Sequence, residues 1–222
     1  MINTARTIHF LHIGKTGGTA IKYALKDFQS SKGFHLICHP HATTLAEVPS
    51  GDLAIFVLRD PVDRFISGFN SRRRQGRPRY VSSWSPEEAA AFGYFGSANA
   101  LGNGLLSRDI GVRLHAQEAM RSIQHVKTRY DDWLKDVPYL RTRSADILWT
   151  GRTETLAQDF EVLKQILGVP ADCQLPDDPV LAHRHLAEDD GWLDGAARSN
   201  IMTWYKSDYA LLECFAGGSM QA

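Results

Sequence analysis

Cysteine is scarce in this sequence and charge of either sign is not in excess. Three cysteines, Cys38, Cys173 and Cys214, are scattered over 222 residues. Such a set argues against a disulfide framework, and no CxxC pair indicates zinc. Lysine plus arginine balances aspartate plus glutamate at 25 each. Bulk attraction to nucleic acid is therefore not predicted, although a local basic patch remains compatible with this balance.

Long apolar runs are also missing. No stretch approaches the 18 apolar residues of a membrane span, and the N-terminus lacks a basic segment followed by an apolar core and a cleavage site. We therefore expect neither a span nor a signal peptide, and a cytoplasmic location. Hydrophobic residues make up 43% of the chain, which is enough for one core. The length predicts a single domain over residues 1–222.

Apolar strand-like runs alternate with helical patterns along the chain. Strands are predicted at 7–13, 34–38, 53–58 and 147–150, and helices from Thr19, from Val62, and over 115–127, 155–167 and 198–215. This alternation predicts an α/β fold with a central, mainly parallel sheet. Ligands of such sheets bind beyond the carboxyl ends of the strands.

A glycine-rich turn follows the first predicted strand and leads into a helix. Backbone N–H groups at such a junction bind anions, and Lys15 adds a full positive charge. A Walker A loop, GxxxxGK[ST], would need a glycine five residues before Gly14, where His9 stands. The turn is therefore too short to wrap a triphosphate and fits one phosphate-like group. A magnesium-dependent nucleotide kinase stays open as an alternative.

A second anion site is indicated by "LRDPVDRFISGF" after the strand at 53–58. Arginine binds phosphate through two parallel hydrogen bonds, and serine adds a hydroxyl donor. We expect Arg59 and Ser67 to reach one anion from opposite sides. A basic run follows at Arg72, Arg73, Arg74, Arg77 and Arg79. It is either a solvated face or a site for an anionic substrate, and a noncatalytic nucleotide- or polyanion-binding module is the other alternative.

Both motifs resemble one family. "HIGKTGGT" resembles the 5′-phosphosulfate loop of sulfotransferases that use 3′-phosphoadenosine 5′-phosphosulfate (PAPS), with Gly14 where the carbohydrate (heparan and chondroitin) branch commonly has proline. "RDPVDRFISGF" resembles the 3′-phosphate motif RDPxxRxxSxF of the same family. The segments 151–168 and 205–215 resemble later parts of the family more loosely. The resemblance covers most of the chain and is strongest over residues 8–75.

The resemblance implies a P-loop-like three-layer fold, PAPS as donor with PAP as product, and no metal. It places the donor on Lys15, Thr16, Gly17, Gly18, Thr19, Ala20, Arg59 and Ser67. Arg152, after the last predicted strand, and Arg184, between His183 and His185 in a segment that resembles a lid, are further candidates for contact with the nucleotide. The chain lacks a membrane anchor, unlike the Golgi enzymes, which suggests a bacterial-like cytosolic member.

The chemistry also needs a general base, and "ICHPHATTL" offers His39 and His41 after the second predicted strand. Some uronyl 2-O-sulfotransferases carry a His-x-His here, and we prefer His41 with His39 as alternate or helper. Lys15 would stabilise charge at the bridging oxygen of the donor. The expected partner is an acceptor that carries a hydroxyl group. The resemblance to the carbohydrate branch favours a saccharide, and the arginine run would suit an anionic one. Nucleic acid is not expected as a partner. The oligomeric state is not readable.

Overall fold

The computed structural model describes residues 6–28, 30–31, 33–78, 80–177 and 191–215. These residues form two compact units. The sheet unit contains the described residues up to Arg59, those from 130 to 177, and 210–215, and the helical unit contains 60–129 and 191–209. Two compact units can belong to one folding domain, and the single domain over 1–222 therefore stays a prediction.

All strands of the described chain lie in the sheet unit. They are β1 Arg6–Leu11, β2 Ser30–Ser31, β3 Phe34–Cys38, β4 Leu53–Leu58 and β5 Ile147–Arg152. Their order in the sheet is β2-β3-β1-β4-β5. Strands β3, β1, β4 and β5 run parallel to one another, and the short β2 pairs with β3 in the antiparallel direction. The predicted α/β fold with a central, mainly parallel sheet is confirmed.

The helices divide between the two units. In chain order they are α1 Gly18–Ala24, α2 Pro61–Arg73, α3 Pro86–Tyr94, α4 Ala98–Gly104, α5 Ile110–Ser122, α6 Tyr130–Leu134, α7 Val137–Thr142, α8 Leu156–Leu167, α9 Gly195–Trp204 and α10 Lys206–Glu213. Helices α1, α6, α7 and α8 belong to the sheet unit, α2 to α5 and α9 belong to the helical unit, and α10 begins in the helical unit and ends in the sheet unit. Within the described residues, none of the helices combines the length and the apolar character that a membrane crossing needs.

In the sheet unit, helices α1 and α8 pack against one face of the sheet. On this face, strand residues such as Phe10 and Val57 pack with Ile21 of α1 and Leu163 of α8. Side chains alternate between the faces of a strand, so Phe56 points to the opposite face, where its ring meets Phe215 edge-on at 5.7 Å. Burial of each such side chain stabilises the fold by about 1.5–3 kcal/mol.

The helical unit has a separate core built on the apolar face of α2. Val62, Phe65, Ile66 and Phe69 of this helix are all nearly inaccessible to solvent. They pack with residues of α3, α4, α5 and α9 in one cluster. Asp60 caps the start of α2 by accepting hydrogen bonds from two backbone N–H groups of the first turn.

Two predicted helices differ from the observed ones. Helix α5 begins at Ile110 rather than at 115, because the Asp109 side chain caps it by accepting from two backbone N–H groups. The predicted helix over 198–215 is wrong as a single element: it is divided into α9 and α10 at Tyr205, whose buried hydroxyl donates to Val126 O at 2.6 Å. That buried contact between segments far apart in sequence gives Tyr205 a fixed place that the local pattern does not show.

Candidate functional site

The turn after β1 carries the first group of predicted residues. Lys15 has a φ of 68° and Gly17 a φ of 86°. A left-handed conformation is natural for glycine, whereas for a residue such as lysine it costs on the order of 1–3 kcal/mol and is found mainly where surrounding contacts enforce it. The turn is therefore held in a specific shape, and that shape determines where the Lys15 side chain begins.

Hydrogen bonds from threonine hydroxyls fix this turn. Thr16 is buried and its hydroxyl donates to Ile13 O at 3.0 Å. The Thr153 hydroxyl, just after β5, lies 2.8 Å from Thr16 O and 3.2 Å from Leu58 O, the last residue of β4. Thr153 was not predicted from the sequence, because nothing local indicates a bond to a residue so far along the chain. The hydroxyl of Thr16 therefore already donates its hydrogen within the turn.

Close packing explains the two glycines of the turn. A Cβ on Gly17 would lie 3.0 Å from Leu156 Cδ2, and one on Gly18 would lie 2.6 Å from Cδ2 of the His12 ring. Thr19 is half-buried and Ala20 is buried. The N–H of Ala20 donates to Gly17 O at 3.0 Å, so this group is already used within the turn.

Arg59 stands directly after β4 and reaches the same turn. Its guanidinium Nη1 donates to Lys15 O at 3.3 Å. Its backbone is held by one side chain, because the Tyr130 hydroxyl accepts from Arg59 N–H at 2.8 Å and donates to Arg59 O at 2.7 Å. The structure thus brings Lys15 and Arg59 together. Ser67 lies half-buried on α2 in the helical unit, and its place beside the same anion stays a prediction.

His41 follows β3 and is fixed at both its ring and its backbone. The ring Nδ1 lies 2.8 Å from His12 O, and the two histidine rings are 3.8 Å apart between centroids. Trp133 Nε1–H donates to His41 O at 2.6 Å. A carbonyl can only accept, so Nδ1 carries the hydrogen, and Nε2 of the neutral ring keeps its lone pair.

The surroundings of His41 lower its pKa from the usual 6.5. Partial burial of the ring is the largest cause, even though much of the residue is exposed, and the positive charges of Lys22 and Lys15 act in the same direction. The hydrogen bond to the His12 carbonyl opposes them. A lowered pKa keeps the ring neutral at neutral pH, which is the state that accepts a proton.

His39 takes part in a different network. Its Nε2 lies 2.8 Å from Nδ1 of His9, and Nε2 of His9 lies 3.1 Å from an Asp52 carboxylate oxygen. Because the carboxylate accepts from Nε2–H of His9, the neutral His9 ring accepts at Nδ1, and His39 donates. Lys22 Nζ donates to His39 O. Burial is the largest cause that lowers the pKa of His39, and the positive charges of Lys22 and, when it is protonated, of His9 act in the same direction.

Of the remaining predicted residues, Arg152 pairs in the sheet with Leu58, the residue before Arg59, and the others lie outside the described chain. Arg152 ends β5; its N–H donates to Asp159 at 2.7 Å and its side chain lies 3.4 Å from Glu154 Oε2. Arg184, His183 and His185 lie outside the described residues. Among the described residues, no group of three or more histidine, cysteine or acidic side chains is arranged to hold a metal ion.

Comparisons with known proteins bear on the family of this chain. No curated protein matched the sequence. The model of the sulfotransferase family matches residues 1–213, which is nearly the whole chain. Enzymes of this kind are transferases that move a sulfuryl group to an acceptor hydroxyl. On this match, the chain belongs to the sulfotransferase family.

Proposed function

We propose that this enzyme transfers a sulfuryl group from PAPS to a hydroxyl of a saccharide, with His41 as general base. One observation carries the proposal: the His41 ring bonds through Nδ1 to His12 O at 2.8 Å, three residues before Lys15, which leaves Nε2 as the basic nitrogen. This contact and the lowered pKa of His41 support a neutral base close to the cation that we propose for the leaving group. General acid–base catalysis by such a ring contributes typically about 10²–10⁴-fold.

The residues of the turn and of Arg59 suit the phosphate groups of the donor. Lys15 supplies a full charge on a constrained backbone, and the Arg59 guanidinium contacts the carbonyl of the same residue. Thr16 would contribute through its backbone N–H rather than its hydroxyl, which donates to Ile13 O. Gly17, Gly18, Thr19, Ala20, Ser67, Arg152 and Arg184 remain proposed donor-binding residues from the sequence motifs.

The proposed reaction moves one proton and exchanges one bond to sulfur. The acceptor oxygen attacks sulfur in line, its proton passes to Nε2 of His41, and the bond from sulfur to the bridging oxygen breaks. Lys15 stabilises the negative charge that develops on that leaving oxygen. Fixed charges of this kind need little reorganisation during the reaction, which is the advantage of a preorganised site.

The hydrogen bonds favour His41 over His39 as the base. The Nε2 atom of His39 is engaged with His9. Within the described part of the chain, Nε2 of His41 has no hydrogen-bond partner, while Nδ1 is oriented by a carbonyl. His41 thus has the tautomer and the available lone pair that proton abstraction requires. His39 would support the loop that carries it.

An anionic saccharide is proposed as acceptor, but the arginine run after α2 has a mixed character. Arg72 is buried and its guanidinium binds the Glu88 carboxylate at 2.6 Å, so it has a structural partner. Arg73 donates to Gly96 O and Arg74 to Arg77 O. Arg77, which is exposed, is the described member of this run that we propose for contact with an acceptor; Arg79 lies outside the described residues.

Calorimetry with the purified chain tests the donor. We expect PAP to bind without magnesium, and ATP to bind much more weakly with or without it. PAP release from PAPS is then measured with water alone and with desulfated heparin or chondroitin oligosaccharides. Preference for ATP with magnesium would instead support a kinase, and salt-sensitive binding of polyanions without turnover would support a binding module.

Replacement of the base tests the mechanism. His41→Ala is expected to keep PAP affinity and to lose turnover by about 10²-fold or more. His35→Ala, an exposed histidine of the preceding strand, is the matched control and should transfer at the wild-type rate. Normal turnover of His41→Ala would remove this residue from the mechanism.

A further inference from the structure

Helix α6 contributes hydrogen bonds to two parts of the proposed site. It has five residues, of which Tyr130 is fully buried and Trp133 is 6% exposed. The Tyr130 hydroxyl bonds to both backbone groups of Arg59, and the Trp133 indole donates to His41 O. Residues three apart lie on the same side of a helix, so a single short element supports both backbones.

The backbone around His41 needs such support because it lies outside the sheet. The segment that follows β3 is held at its start by the bond from Lys22 to His39 O. Farther along, Arg143 donates to Leu45 O at 3.0 Å. Trp133 binds the segment between these two points, at the residue that carries the proposed base.

The backbone of Arg59 also needs support from outside the sheet, because Arg59 follows the last residue of β4. Its guanidinium direction depends on the backbone from which it extends. The Tyr130 hydroxyl satisfies Arg59 N–H and Arg59 O at 2.8 and 2.7 Å. Loss of this one oxygen would leave both groups without that partner while the aromatic ring stays in place.

We propose that α6 is a positioning element of the enzyme, in which Trp133 sets the base and Tyr130 sets the donor-binding arginine. This inference rests on the proposed function. The two side chains act on different steps, so their substitution separates turnover from donor affinity. A purely structural helix would change both together, in proportion to the loss of stability.

The test compares two conservative variants with two matched controls. Trp133→Phe is expected to lower the rate of PAP release from PAPS by about 10- to 100-fold and to leave the PAP dissociation constant within about twofold. Tyr130→Phe is expected to weaken PAP binding by about three- to tenfold. Trp149→Phe, a buried tryptophan of β5, and Tyr205→Phe, a buried hydroxyl of the helical unit, should change neither quantity.

A second measurement does not depend on activity. NMR titration of the His41 ring should show a changed pH midpoint in Trp133→Phe and an unchanged one in Trp149→Phe. An unchanged His41 titration in Trp133→Phe, or wild-type PAP affinity in Tyr130→Phe, would overturn the role of α6. If Trp133→Phe does not fold, Tyr130→Phe still decides, because it removes only one oxygen. Absence of PAP binding by the wild-type chain would count against the proposed function itself, while the His41 titration would still test the role of Trp133.

Discussion

Lys22 influences the proposed base without belonging to the motif that revealed the site. Its charge lowers the pKa of both His41 and His39. Lys22→Met removes this charge, so the pKa of His41 should rise towards its usual value of 6.5. A higher pKa means that the ring stays protonated to a higher pH. The acid limb of the pH profile of kcat/KM for PAPS is therefore expected to move to higher pH.

Lys26→Met is the control for this shift. Lys26 is exposed in the turn after α1, where its ammonium group lies over the Tyr23 ring. Its replacement should leave the acid limb in place. If the limb of Lys22→Met coincides with that of the wild type, the group that titrates in turnover is neither of these two histidines.

Gly18 links the glycine-rich turn to the base through His12. An added Cβ would lie 2.6 Å from the His12 ring, and the ring and the carbonyl of His12 both contact His41. Gly18→Ala should therefore displace His12 and lower turnover by about tenfold or more. The measurement is PAP release together with thermal unfolding.

The control for this variant is Gly93→Ala in α3, where an added Cβ meets no atom within 4 Å. Alanine is the better helix former by up to about 1 kcal/mol, so this variant should be as stable as the wild type or more so, with unchanged turnover. Wild-type activity of Gly18→Ala would show that the position of His12 does not matter for His41.

At the scale of elements, a buried ion pair joins α2 to α3. The Arg72 guanidinium binds both Glu88 oxygens, at 2.8 and 2.6 Å, and Glu88 also accepts from Gln124 N–H. Removal of one partner leaves a buried charge uncompensated, which costs about 3–5 kcal/mol. Glu88→Gln should lower the free energy of unfolding by that amount in urea titrations at pH 7.

The same ion pair makes the free energy of unfolding depend on pH in the acid range. Burial alone would raise the pKa of Glu88, but the hydrogen bonds from Arg72, Gln124 and Ser85 outweigh it and lower the pKa to about 2. A lowered carboxyl pKa contributes stability above the unfolded value of 4.5, and this contribution is lost as pH falls towards about 2. Glu88→Gln should lack this loss, whereas Glu118→Gln, at an exposed position of α5, should behave like the wild type.

The elements that sequence predicts well are those with a strong local signal. The observed bounds of β3 and β4 equal the predicted ones, because each is an uninterrupted run with few polar residues. Helix α4 was missed because it contains Gly102 and Gly104, which weaken a helical pattern. The structure explains both glycines: a Cβ on Gly102 would meet Ala197 at 2.9 Å, and one on Gly104 would meet Phe95 at 2.9 Å. Such close approach between helices leaves no local signal.

The residues of the candidate site also divide into those with a local signal in the sequence and those without one. Lys15, Arg59, His39 and His41 were found because they stand in motifs at strand ends. Thr153, Tyr130 and Trp133 were not, since each acts through hydrogen bonds to backbone groups at least 71 residues away. Their side chains have ordinary surroundings in the sequence, and only the folded chain shows what they hold.

At the scale of the whole molecule, each unit has its own core and the chain passes between the units more than once. Lys15 and Arg59 lie in the sheet unit, whereas Ser67 lies in the helical unit. The sequence motif assigns Ser67 to the donor. Ser67→Ala should therefore weaken PAP binding by about 0.5–1.5 kcal/mol in calorimetry. Unchanged affinity would limit the proposed donor contacts of this motif to Arg59.

A ligand that binds only the folded state stabilises the whole chain by an amount that grows with the logarithm of its concentration relative to its dissociation constant. PAP at 100 times its dissociation constant should raise the free energy of unfolding by about 2.7 kcal/mol, or the melting temperature by about 5–10 °C for a chain of this size. Arg59→Ala loses a charged hydrogen bond worth about 1.5–3 kcal/mol. At the same PAP concentration, the stabilisation of this variant by PAP should fall to about 0.3–1.3 kcal/mol.

The matched control for Arg59→Ala is Arg113→Ala on α5, whose guanidinium donates to Ser107 O within the helical unit. PAP is expected to raise the free energy of unfolding of this variant by as much as in the wild type, even if its melting temperature without PAP is lower. An equal gain in Arg59→Ala and Arg113→Ala would mean that Arg59 does not bind the nucleotide. Its contact with Lys15 O would then serve only to hold the turn, and the anion site would depend on Lys15 and the backbone around it.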